Sequence, residues 1–439
     1  MRKLNRREFL QISSALGLSV AAPLISRNVQ AEELSGDLVL HLKVLGGWDV
    51  SSFCDPKLNT NGESVINNWA TGLSEIPKAG NIPYAPVWDN ASFFEKYYRD
   101  MLVINCIDAQ TNSHTAGEIG TFSGRISPGF PTITASVAGV FGPTLAMSYI
   151  NNASYKGTGG IVSVTQISNP ETIPRLANSN SVEHDYDQKI FSPEVFDTLQ
   201  SAKLARIERQ LAASNLFPRH RNALSQLFLA TDNVKSLSRI NDFLPDELIN
   251  DRDDQGFHPS WRQAEIAMVA YKAGLTLGVD LGQGDGFDTH AKHDSSHEPI
   301  MRRLVRDIDT IWQLSEKHGI TDRVTLIINS EFARTPYYNG DSGKDHWPIA
   351  STIIMKNGAP WGNRVVGRTD EIQNGIKINP VTLEIDETNG SLIYSKDLMM
   401  ALRRHFGVAD HPSIAKFDLN VEREFDFFNP ELSTVQLYS

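Results

Sequence analysis

The sequence predicts an α/β fold, with a mostly parallel central sheet and helices on both faces. Short continuous apolar runs, several rich in β-branched residues, recur along the chain between longer stretches with helical spacing. Runs apolar at successive rather than alternate positions belong to strands buried on both sides, as in parallel sheets covered by helices. Most of the runs stop at glycine-rich or polar turns, and such sheets build their sites beyond the carboxyl ends of the strands.

Taken in order, Leu38 to Leu45 reads as the first strand and stops at Gly46-Gly47. Leu102 to Ile107 reads as the second, followed by a helix from about Thr115, and Gly160 to Ile167 as a third. From Pro193 to Leu244 the pattern is helical, broken once at Pro218. Trp261 to Ala273 is amphipathic and ends at Gly274, after which Leu275 to Leu281 reads as a buried strand. Ile300, Leu304, Ile308, Ile311 and Leu314 mark one face of a helix that Gly319 caps. Val324 to Asn329 and Ile349 to Met355 are further strands, and Lys396 to Phe406 is a last short helix. There is no internal repeat and no low-complexity stretch.

The first 31 residues stand apart. Arg2, Lys3, Arg6 and Arg7 form a basic start, and Asn5 to Gln11 (N-R-R-E-F-L-Q) matches the twin-arginine export consensus. The mildly apolar run Ile12 to Ala22 is about half the roughly 20 residues a membrane span needs. Val29-Gln30-Ala31 suits signal peptidase, and no cysteine follows for lipid attachment. The expectation is a twin-arginine signal over 1–31 and a periplasmic or secreted product, handled by the twin-arginine translocase and without a stable membrane anchor. The whole chain carries a net charge of −11, and removing the basic segment leaves the rest more acidic still. Such a protein has no general affinity for nucleic acid. The two cysteines, Cys54 and Cys106, exclude a disulfide scaffold and a four-cysteine zinc site. They read either as a pair that meets and oxidises after export or as two small buried residues.

Side chains able to bind metal gather at four strand ends. Asp49 follows the first strand in G-G-W-D, and Asp108, Asn112, Ser113, His114 and Thr115 follow the second. Asp288 and His290 lie in G-F-D-T-H after the Leu275–Leu281 run. Glu331 and Arg334 lie in S-E-F-A-R-T-P after Val324–Asn329, with Asp345 and His346 in the following G-K-D-H-W. Carboxylates and imidazoles from several strand ends can converge on one or two divalent cations. A mixed oxygen and nitrogen set suits Zn, Mn or Fe better than Ca. His293 and His297, spaced i and i+4, are read as solvated helix histidines rather than as ligands.

These segments resemble the domain of unknown function 1501 family, twin-arginine-exported proteins of the alkaline phosphatase and sulfatase superfamily. The landmarks are G-G-W-D at 46–49, S-H at 113–114, G-F-D-T-H at 286–290, S-E-F-A-R-T-P at 330–336 and G-K-D-H-W at 343–347. The family usually has Gly where this chain has Ala333. The resemblance implies an alkaline phosphatase-like α/β domain over 32–439; the segment at about 185–260, helical and without the motif pairs, reads as a cap or insertion over the site or as a cover for one face of the sheet. It also implies one or two divalent ions, Zn or Mn, held by Asp49, Asp288, His290, Glu331, Asp345 and His346. Superfamily hydrolases carry a Ser, Thr or modified Cys nine residues before a T-G. Here the equivalent dipeptide is Ser123-Gly124, and the ninth residue before it is His114. His114 is then a third-site ligand, a general base or the nucleophile. Ser113 or Thr115 takes the nucleophile's place only if the register shifts by one. Arg334 either stabilises charge on an oxyanion or pairs with a carboxylate. The expected function is a periplasmic metal-dependent hydrolase of phosphate, sulfate or related esters, on a small-molecule or polymer substrate. The alternative is a non-catalytic binding or assembly protein that keeps the fold.

Overall fold

The structure, a computed structural model, describes residues 34–432 except 35, 61, 168–174, 176–177, 183–184, 214–215 and 233. The expected export signal, residues 1–31, lies outside the described residues. Nine strands form the central sheet: β1 (Leu38–Leu45), β2 (Met101–Asp108), β3 (Tyr149–Asn151), β4 (Val164–Thr165), β5 (Gly278–Gly286), β6 (Val324–Ser330), β7 (Ile349–Lys356), β8 (Arg364–Val366) and β9 (Ile393–Tyr394). Their order is β8-β2-β7-β6-β1-β5-β3-β4, with β9 also pairing with β2. β7 runs antiparallel to β6 and β2, and every other pairing in the sheet is parallel. β6 is buried at every position, and β1 and β2 at all but their last, so both faces of the sheet centre are covered.

The longer helices are α1 (Asn90–Tyr97), α2 (His114–Ser123), α3 (Ile133–Phe141), α4 (Pro193–Leu211), α5 (Pro218–Asp232), α6 (Pro259–Lys272), α7 (His293–Lys317) and α8 (Ser395–His405). α6 lies on β1 and β5 and carries α7, which reaches α1. On the other side α3 lies on β1, β3 and β5 and meets α8, which in turn packs on α2. α4 and α5 pack against each other around a small core of their own, Ile207, Leu211 and Phe228. No helix of the described residues is long and apolar enough to cross a membrane.

Two local readings change, and the two alternatives for the cysteines reduce to one. The expected strand at 160–167 shrinks to Val164–Thr165, and its neighbour is the short, wholly buried Tyr149–Asn151. α7 begins at His293, two turns earlier than its apolar stripe suggested, and His293 and His297 are fully buried on that stripe with Met301, Leu304, Ile308 and Ile311. Cys54 and Cys106 are both buried and both free.

Candidate metal centre

The carboxyl ends of β1, β2, β5 and β6 meet at one place. β1 gives way to Gly46 and Gly47, both at positive φ, and a Cβ on Gly46 would lie 2.4 Å from the Phe287 nitrogen. This tight turn lets the Gly46 N–H donate to Glu331 Oε1 at 2.8 Å and the Gly47 N–H to Ser330 Oγ at 3.0 Å, tying the end of β1 to that of β6. The segment after β5 is held equally closely, with Phe287 N donating to Leu45 O at 2.7 Å. Gly343 packs on it, where a side chain would collide with the His290 carbonyl. The short ladder of Ala333–Arg334 with His346–Trp347 brings the last loop into the same group.

Three imidazoles and one carboxylate converge there. Asp288 Oδ1 is 2.9 Å from His290 Nε2 and 3.1 Å from His346 Nε2, and Asp288 Oδ2 is 3.5 Å from His114 Nε2. The Nε2 atoms of His290 and His346 are 3.1 Å apart. One ligand-capable atom from each of His114, Asp288 and His346 falls within 4.8 Å of the others. Asp288 and His290 are each 46% exposed in their side chains, so the group opens to solvent.

Each imidazole is oriented from behind through its other nitrogen. His114 Nδ1 lies 2.7 Å from Glu331 Oε1, His290 Nδ1 lies 2.6 Å from Asp345 Oδ1, and His346 Nδ1 lies 2.7 Å from the Asn112 carbonyl. Burial raises the Glu331 pKa, but the hydrogen bonds from His114, Gly46 and Ser330 more than offset it, so the carboxyl sits below its usual value. The hydrogen bond from His290 does the same for Asp345. Glu331, Asp345 and the Asn112 carbonyl can therefore only accept, and each Nδ1 must carry the proton. In the neutral ring Nε2 then presents a lone pair, and three such lone pairs face the Asp288 carboxylate. Acceptors facing acceptors require positive charge among them, either added imidazolium protons or a metal cation.

The set fits a cation. A carboxylate or carbonyl behind each imidazole is the usual outer arrangement of metal-bound histidine. The atoms of His114, Asp288 and His346 lie within 4.8 Å of one another, and His290 adjoins Asp288 and His346. Three nitrogens and one oxygen suit Zn or Mn rather than Ca. Burial raises the Asp288 pKa, but the hydrogen bond from Arg334, joined by His346 when its ring is protonated, prevails and holds it at about 2. The hydrogen bond to Glu331 raises the His114 pKa against the effect of burial.

Glu331 and Asp345, expected as ligands, stand behind His114 and His290. Of the roles open to His114 and Arg334, the geometry brings His114 into the ligand-capable group and pairs Arg334 with a carboxylate. Arg334 is fully buried and directs its donors to the carbonyls of Gly46, Gly47 and Lys344 and to Asp288 Oδ1 (2.8 Å). It pairs with a carboxylate and turns no free face to a substrate. Ser113 is the N-cap residue of α2 and Thr115 its second residue. Both are exposed, and among the described residues no base contacts either hydroxyl.

Asp49 is set apart in a second, fully buried group. Its Oδ1 accepts from Ser51 N (2.9 Å) and Ser51 Oγ (2.6 Å), and its Oδ2 from Ser52 Oγ (3.0 Å), His293 Nε2 (2.9 Å) and Lys344 Nζ (2.8 Å). Burial alone would raise the Asp49 pKa, and Lys344 with His293 reverses this and holds it well below the usual range. Lys344, Thr289, His293 and His297 were not singled out as site residues from sequence. The visible signal for the two histidines was their register with Met301 and Leu304.

A family model described as "Protein of unknown function (DUF1501)" matches residues 266–388, the stretch that holds Asp288, His290, Glu331, Arg334, Asp345 and His346. No curated protein matches the sequence. Among solved structures the chain is similar to a sulfatase from Pseudoalteromonas sp., at 10% identity over 98% of this chain and 76% of that one, with a TM-score of 0.38. It is similar to the phosphonate monoester hydrolase of Agrobacterium radiobacter, at 12% identity over 84% and 74%, with a TM-score of 0.30. A lipoteichoic acid synthase from Listeria monocytogenes matches at 9% identity over 92% and 79%, with a TM-score of 0.36. Likeness this remote assigns no activity.

Proposed function

We propose that the chain is a metal-dependent hydrolase of phosphate, sulfate or related esters, exported to the periplasm by the twin-arginine route. His114, His290, His346 and Asp288 would hold a divalent ion, Zn or Mn. The observation that carries this reading is the convergence of three Nε2 atoms on one carboxylate, each imidazole having its Nδ1 proton committed to an acceptor. A bound ion supplies Lewis acidity toward an ester oxygen or water. Glu331 and Asp345 keep His114 and His290 in the required tautomer, and Arg334 fixes the carboxylate of Asp288. His114 is the first residue of α2, so the unpaired N–H groups of that helix end face the same opening and favour an anionic group there. With Ser113 and Thr115 lacking a base, water is the nucleophile in this reading. The acidic chain gives no reason to expect a nucleic-acid partner, and the twin-arginine translocase is its partner during export.

The same lack of a poised hydroxyl favours a second reading, a binding or assembly protein that keeps the metal without turnover. Elemental analysis of residues 32–439, with assays on aryl phosphate, sulfate and phosphonate esters in Zn and Mn, separates the two. Bound metal with turnover, both lost in Asp288→Ala and His346→Ala, supports the hydrolase. Bound metal without turnover supports the second reading, and a folded chain that takes up no metal refutes both. Export is checked by changing Arg6 and Arg7 to Lys, which should hold the precursor in the cytoplasm.

A further inference from the structure

We infer that the Lys344 ammonium is a built-in counter-cation that limits the centre to one metal ion per chain and positions that ion's ligands. The inference rests on the metal-binding reading above. It starts from how two loop segments divide their side chains between the open group and the interior. In 288–290, Asp288 and His290 face the open group and Thr289 faces inward. In 344–346, Asp345 and His346 belong to the open group and Lys344 faces inward.

Lys344 is fully buried, and its three N–H bonds are matched by three acceptors: Asp49 Oδ2 at 2.8 Å, Asn67 Oδ1 at 3.0 Å and Ser51 Oγ at 3.2 Å. Asp49 receives five donors in all, against about four lone-pair sites on a carboxylate, so it has no capacity left for an ion. The two inner imidazoles are equally committed. The Asp49 N–H donates to His297 Nε2 at 3.0 Å, which places the His297 proton on Nδ1. That proton goes to Thr289 Oγ1 at 3.0 Å, the Thr289 hydroxyl donates to His293 Nδ1 at 2.8 Å, and His293 Nε2–H returns to Asp49 Oδ2 at 2.9 Å. The ring is closed, with every proton assigned and no imidazole nitrogen free to bind metal. It grips Thr289 between Asp288 and His290, while Lys344 anchors the residue before Asp345 and His346. Lys344 is thus a positioning residue, acting on the ion through the two segments that hold it.

The test is Co(II) titration of metal-stripped residues 32–439, read by stoichiometry and visible absorption. The unsubstituted protein should bind one ion per chain, and Asp49→Asn should still bind one. The double variant Asp49→Asn/Lys344→Met removes both buried charges at similar volume. It should bind one ion about 10- to 100-fold more weakly, with a changed Co(II) spectrum. Two ions per chain, the second lost in Asp49→Asn, would overturn the inference, as would an unchanged affinity in the double variant. Binding of no ion by the unsubstituted protein would instead remove the metal reading itself. The counter-ion role has a metal-free readout. Each single variant should lower the thermal midpoint, and the double variant should recover most of the loss; additive losses would refute the pairing.

Discussion

Glu331→Gln isolates the charge behind His114 while keeping the hydrogen bond to that ring. Glu331 is almost fully buried; its Oε1 accepts from Gly46 N at 2.8 Å and His114 Nδ1 at 2.7 Å, and its Oε2 accepts from Ser330 Oγ at 2.9 Å. A glutamine can place its oxygen at the Oε1 position and keep both bonds there. Its amide then faces Ser330 Oγ, which already accepts from Gly47 N and Trp48 N, so the bond to Ser330 is lost. The two bonds at Oε1 keep the segment in place, and the main loss is one negative charge beside a metal-capable imidazole. Unit charges about 4 Å apart at an effective dielectric of about 20 interact by about 4 kcal/mol. The His114 side chain is 41% exposed, so solvent screening takes a good part of that. Changes to such outer partners of metal-bound histidine typically cost 10- to 100-fold in affinity, about 1.4–2.7 kcal/mol. Competitive titration against a chromophoric chelator at fixed pH measures the change, with circular dichroism as the control for folding. An affinity within twofold of the unsubstituted protein, in a folded variant, would refute the role given to Glu331.

Two further outcomes concern the metal-free chain. The Asp288 pKa is depressed to about 2 from 3.8, so its stabilising contribution is present above about pH 3.8 and is lost as pH falls through about 2. The difference in thermal midpoint between the unsubstituted protein and Asp288→Asn should shrink over that interval; a difference that persists at pH 2 contradicts the pairing with Arg334. The His114 pKa is raised, so its contribution is full below the usual 6.5 and disappears as pH rises through the raised value. His114→Gln should therefore cost most in mildly acidic buffer and least in alkaline buffer. The thiols give an independent check. Burial raises the pKa of both Cys54 and Cys106, the latter to about 12, so both should resist an aromatic disulfide reagent in the native protein and react fully in denaturant. One fewer reactive thiol pair in denaturant would show that they had oxidised together.

The sheet centre was legible because its strands are buried on both faces, and β1, β6 and β7 read as largely apolar runs with few polar interruptions. The short Tyr149–Asn151 was not legible, since three residues ending in Asn carry too little pattern. In the site, the chemistry-bearing residues could be named but their layers could not. Asp288 and His290 share a side and Thr289 faces away, but the segment is a turn, with the Thr289 N–H bonded to the Phe287 carbonyl, so spacing alone shows neither this nor which side opens to solvent. The partner of Asp49 was out of reach for another reason: Lys344 is 295 positions away, and only the fold brings the two together. His293 and His297 were misread where the apolar stripe was traced back no further than Ile300. Two residues of mixed character at its upper end continue the stripe into the buried ring.

The charges of the two layers explain why one is metal-capable and the other is not. The open layer holds three carboxylates, Asp288, Glu331 and Asp345, against one guanidinium, Arg334, with each imidazole able to remain neutral. Its surplus of two negative charges, gathered within a few ångströms, is the complement of one divalent cation. The inner layer holds one carboxylate, Asp49, against one ammonium, Lys344, and its two imidazoles are closed into a ring with Thr289. A divalent ion placed there would displace Lys344 or leave like charges side by side in a fully buried site. Desolvation makes either outcome costly. The two loop segments therefore do more than aim ligands outward. They also carry into the buried layer the fixed charge that removes the need for a second ion.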